Sequence, residues 1–188
     1  MKRLITVLFL VSAFAPSAWS HDISTYADQS ATDCVLTALV PPPGINSVYI
    51  VHKFNVGSTA SQFKVDDTSG LFATSQTTPY LSLGTWNTDL SLAYGGCVVG
   101  THVLMTLNFI WFGAPFTCAN YLETVAAPTA AIPGAISVVD CSVPSGNLVP
   151  ASGGKLFFGP GGRDCPGINC GFNPVSERTW GGVKALYR

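Results

Sequence analysis

The tightest constraint on how this chain can fold is a two-residue rhythm, interrupted at short intervals by residues that turn the backbone. In SVYIVHKFN (47–55), Val48, Ile50, His52 and Phe54 share one face of an extended strand, and Tyr49, Val51, Lys53 and Asn55 share the other. In SQFKVDD (61–67), Phe63 and Val65 oppose Gln62, Lys64 and Asp66. One dry face and one wet face is the pattern of an antiparallel sheet packed on a core from one side. Further strand candidates cover 34–40, 71–74, 80–86, 89–94, 101–112, 121–126, 135–141 and 155–158. Between the runs lie PPPGIN, VGSTA, DDTSG, WNTD, YGG, AAPTAAIPG, VPSGN and FGPGG, all rich in turn-forming residues. No helical period is convincing before residue 160. The pattern predicts an all-β domain over 21–160, an antiparallel two-sheet sandwich of immunoglobulin-like or jelly-roll topology.

The ends read differently. MKRLITVLFLVSAFAPSAWS carries two cations, an apolar stretch and small residues at Ala18 and Ser20, which is the layout of a secretory signal peptide over 1–20 with cleavage before His21. Residues 161–188 form a Cys-containing tail in which Trp180, Val183 and Tyr187 have the spacing of a short amphipathic helix. The most apolar internal stretch, 97–116, is broken by Thr101, His102, Thr106 and Asn108 and ends in Gly-Ala-Pro. It reads as a buried strand, with no transmembrane segment in the mature chain.

An exported chain with six cysteines predicts three disulfides. Spacing suggests Cys97 with Cys118 and Cys165 with Cys170, leaving Cys34 with Cys141. CPGINC lacks zinc-knuckle spacing and a neighbouring histidine. Without Lys2 and Arg3 the chain keeps seven cations against ten carboxylates, which argues against nucleic-acid binding.

The blocks SVYIVHKF, TASQFKV, YGGC, ISVVDC and TWGGVKALYR resemble those of a group of bacterial exported proteins. That resemblance implies an exported sandwich module and brings no catalytic residues with it.

The candidate chemistries are few. A histidine brace would take the α-amino group and imidazole of an N-terminal His21 and the imidazole of a second histidine, a set suited to copper. It resembles the arrangement in lytic polysaccharide monooxygenases and some copper carriers. His102, near a strand start, is the better second ligand, because His52 shares its face with Val48, Ile50 and Phe54 and reads as core. DISTYADQSATD (22–33) is polar and unpatterned and reads as a mobile arm, which weighs against a pinned metal site. There is no G-x-S-x-G elbow. Glu123 and Asp140 are the carboxylates one would pair for glycoside hydrolysis, but most carboxylates sit in predicted turns. DDTSG (66–70) lacks the ligands of a calcium loop. Trp86, with Tyr80 and Tyr94, is the candidate aromatic platform for a sugar ring. The reading that results is a non-catalytic structural or adhesive binding module without a cofactor, secreted or at the cell surface. Its partner would be an extracellular protein or polysaccharide, with self-association through edge strands as a third reading. The alternative is a carbohydrate-active protein, either a sugar-binding module or a copper oxygenase at His21.

Overall fold

A computed structural model describes residues 21–40, 44–143, 146–166 and 168. Nine strands follow one another: β1 (Asp22–Tyr26), β2 (Val35–Leu36), β3 (Ile45–Asp67), β4 (Phe72–Thr77), β5 (Leu81–Thr85), β6 (Asp89–Ile110), β7 (Tyr121–Val125), β8 (Ile136–Asp140) and β9 (Leu148–Phe158), then a short 3-10 turn, Pro160–Asp164. The all-β class holds, and the architecture is a jelly-roll sandwich.

Its long strands bend from one sheet to the other. The first half of β3 pairs with the second half of β6, from Ile45 opposite Ile110 to His52 opposite His102. The second half of β3 pairs with the start of β6, from Ala60 opposite Ala93 to Phe63 opposite Leu90. Register shifts fall between His52 and Ala60, where the strand crosses over. VGSTA and YGG, read from sequence as turns, are therefore bends inside continuous strands. Buried Asn55 organises the crossing: its Nδ2 donates to Ser58 Oγ (2.7 Å) and the Val98 carbonyl (2.8 Å), and its Oδ1 accepts from Gly57 N (2.8 Å).

The segment read as a mobile arm begins with β1, which is buried along its whole length, and continues into turns over 27–33 that are partly exposed. The strand pairs antiparallel with β3, Asp22 opposite Lys53 through Tyr26 opposite Tyr49, and parallel with β9, Asp22 opposite Ser152 through Ser24 opposite Gly154. Its inner face puts Ile23 into the main core with Val48, Ile50, Phe63, Leu92, Leu104 and Leu156. Its outer face is covered too, because Tyr26 packs with Ala31, Cys34, Val35 and Val51. Alternation fails there since both faces are dry. The buried carboxylate of β1 is satisfied within the strand and by β9: Asp22 accepts hydrogen bonds from Ser24 Oγ (2.9 Å), Tyr26 Oη (3.0 Å) and Ser152 Oγ (2.9 Å).

The cysteines pair differently from the spacing argument. Cys97 bonds Cys141, Cys118 bonds Cys165, and Cys34 is also disulfide-bonded. A Cβ added to Gly57 would lie 3.1 Å from the Cys141 sulfur and 3.5 Å from that of Cys97. The first bridge therefore passes over β3 where that strand lacks a side chain. Proximity in sequence does not choose the partner; the strand neighbours do. Cys170 and the predicted tail helix lie outside the described residues. Among the described residues no helix is long and apolar enough to cross a membrane.

Candidate functional site

Two features stand out, a histidine cluster at one end of the core and an apolar face on the second sheet.

The chain's three histidines come from three adjacent strand positions. His52 pairs directly with His102 across β3 and β6, and with Ile23 across β3 and β1. His21, two residues before Ile23, projects to the same inner face. Its Nδ1 lies 3.0 Å from His52 Nε2. The ring centroids are 5.1 Å apart for His21 and His52 and 5.2 Å for His52 and His102. His52 Nδ1 faces Tyr94 Oη at 3.5 Å, and His102 Nδ1 faces the Gly100 carbonyl at 3.3 Å. His102 Nε2 is buried without a hydrogen-bond partner in the described structure. Main-chain bonds fix His21 as well, since its carbonyl accepts from Ser152 N at 3.0 Å.

Burial governs the electrostatics. It lowers the His21 pKa, opposed by the charge of Asp140, and lowers that of His102, opposed by the Gly100 carbonyl. For His52, burial followed by the neighbouring His21 and His102 rings pushes the value down to about 2. All three rings are consequently neutral at pH 7, the form that donates a lone pair. As the side chains stand, no group of three or more His, Cys, Asp or Glu among the described residues is arranged to hold a metal ion.

The sequence-predicted site residues fall as follows. His21 and His102 enter the same cluster, with His52 between them. Tyr80 and Tyr94 also join it: their centroids are 4.7 Å apart, and both pack edge-on against His102. Tyr94 is only 8% exposed, and Trp86 packs edge-on against Phe109 at 6.0 Å. These three aromatics therefore do not form one open platform on which a sugar ring could stack. Glu123 is engaged by Lys155 at 3.3 Å. Asp140 accepts from Ser142 N and Asn147 N at 2.9 and 2.6 Å, holding the turn before β9. Neither carboxylate is poised against the other.

The apolar face is formed where β5, the start of β6, the second half of β3, β8 and the start of β9 lie side by side. A trough of about 320 Å³ runs across it, lined by Ala60, Leu81, Leu83, Ala93, Val139 and Leu148 among others. Leu81 and Leu83 are 79% and 78% exposed, and Leu148 is 53% exposed. The sequence signal for this face is LSL in β5, where leucines two apart point the same way and no strand among the described residues covers them.

Comparison with known proteins gives the fold. The chain is similar to a non-cellulosomal cohesin from the hyperthermophilic archaeon Archaeoglobus fulgidus, at 11% identity and TM-score 0.50, covering 74% of this chain and 91% of that one. It is also similar to the seventh ScaB type I cohesin from Pseudobacteroides cellulosolvens, at 9% identity and TM-score 0.46, covering 73% and 91%. The first likeness is one of fold, the β-sandwich of cohesin modules. No protein-family model matches the chain, and no curated protein matches its sequence.

Proposed function

We propose that this chain is an exported, non-catalytic binding module whose partner is a protein docked on the β5–β6–β3–β8–β9 face. The observation that carries the reading is the exposed apolar row Leu81, Leu83 and Leu148 around the trough. Large apolar side chains gathered on one sheet face are a feature of interaction sites, and at about 25 cal/mol per Å² their burial would supply a useful part of an interface energy. The fold likeness to a cohesin module supports binding over catalysis. The disulfides support an oxidising, extracellular setting. An adhesive role at the cell surface is the specific form of this proposal.

The test compares wild type with a Leu81→Asp, Leu83→Asp double variant whose circular dichroism and melting are unchanged. Each is immobilised and exposed to extracellular proteins of the source organism, and separately to insoluble polysaccharides. A protein captured by wild type and lost on the variant supports the proposal. Equal capture by both, retention on polysaccharide alone, or dimerisation of wild type as the sole association overturns it.

A further inference from the structure

The nitrogen of His21 that faces His52 is Nδ1, the ring nitrogen that can close a six-membered chelate with the α-amino nitrogen of its own residue. Two imidazole nitrogens 3.0 Å apart have the separation of neighbouring ligands on one ion at about 2.0 to 2.1 Å. The support around them is of the kind that holds metal-ligating histidines. β1 is hydrogen-bonded along both edges beside His21. Tyr94 Oη stands at the far nitrogen of His52, where it can accept the Nδ1 proton and leave the Nε2 lone pair directed at His21. His102 closes the other side of the His52 ring.

Side chains alone leave this set one donor short. Cleavage after Ser20 would supply that donor by converting the His21 amide into a primary amine. We propose that the mature chain binds one Cu(II) through the α-amine and Nδ1 of His21 and Nε2 of His52. The ligand set is three neutral nitrogens, which favours Cu(II) among the divalent first-row ions. Without the metal, the two rings share one N–H···N hydrogen bond. On binding, that proton moves within its own ring to the nitrogen away from the metal, so both facing lone pairs become ligands. From sequence, His102 is the better second ligand. The structure assigns the second ligand to His52, because β3 rather than β6 is the antiparallel neighbour of β1.

The experiment uses exported protein whose intact mass fixes its first residue, stripped with chelator and titrated with copper sulfate against a competing chelator. Expected results are one tight equivalent of copper and nitrogen superhyperfine structure from three nitrogens in the electron paramagnetic resonance spectrum. A variant with Gly-Ser-Gly-Ser before His21 keeps every side chain and puts the terminal amine beyond chelate reach of the His21 ring. Because outer-shell changes alone cost roughly 10 to 100-fold in metal affinity, loss of this ligand should weaken binding by more than about a hundredfold. His52→Gln should reduce the nitrogen count by one. If His52→Gln does not fold, the free peptide HDIST takes its place and should bind more weakly than the protein. A mature start other than His21, equal affinity in the Gly-Ser-Gly-Ser-extended protein, or equal affinity in the peptide overturns the proposal.

Discussion

His52 shows how one buried residue ties the stability of the molecule to pH. Its folded pKa lies near 2, below the ordinary value of 6.5, because burial and two neighbouring imidazoles disfavour the cation. The unfolded chain therefore binds more protons between these values. Stability from this group is fully present above about pH 6.5 and is lost as pH falls toward 2, by about 1.4 kcal/mol per pH unit. His21 and His102 act in the same direction. Asp28 and Asp140, held down to about 2 chiefly by hydrogen bonds to their ionised forms, add losses only below their ordinary 3.8. Urea midpoints of chelator-treated protein should thus fall between pH 6.5 and 4.5, and a flat profile there would contradict this account. Asp22 makes a second residue-scale case. Asp22→Ala would strip the hydroxyls of Ser24, Tyr26 and Ser152 of their buried acceptor. It should cost about 2 to 4 kcal/mol, with Asp22→Asn recovering part of the loss in thermal melts. Both His52 and Asp22 were visible as residues in the sequence. What was not visible was that β1 and β6 would both become neighbours of β3, which puts Ile23, Ile50 and Leu104 in one core and sets His21 and His102 on either side of His52.

Among the elements, β1 and the long bent strands departed furthest from the sequence reading. DISTY carries no alternation because Asp22, Ser24 and Tyr26 form a closed polar network against covering residues, leaving neither face for water. β3 and β6 were read as pairs of strands because glycines and small residues in VGSTA and YGG resemble turns. In the tertiary structure they relieve bends where one strand changes sheets. β9 runs on through Gly153, a glycine that admits a close neighbour. At Gly153 an added Cβ would lie 1.9 Å from the Thr124 carbonyl oxygen, whereas at Gly161 it would meet nothing within 4 Å. Gly153→Ala is therefore expected to cost more than about 3 kcal/mol or prevent folding, since backbone cannot yield as a side chain can. Gly161→Ala should stay within about 0.5 kcal/mol. Comparable melting temperatures for the two variants would show that β7 and β9 approach less closely than described.

For the whole molecule, the disulfides join places that the sheets have already brought together. Cys97–Cys141 and Cys118–Cys165 span 44 and 47 residues. On the chain-entropy model each stabilises by about 4 kcal/mol. A Cys118→Ser, Cys165→Ser double variant should melt well below wild type, and peptide mapping without reductant should recover the 97–141 link intact. The alternating runs and turn clusters determined an all-β sandwich, because period-two burial needs only local pattern and a core on one side. The even cysteine count predicted a disulfide framework for the same local reason. Which cysteines pair, which histidine faces His21 and on which sheet face Leu81, Leu83 and Leu148 gather were decided only by tertiary structure. Those outcomes depend on which strands become neighbours, and that is set by packing energy summed over the whole core rather than by any segment's own sequence.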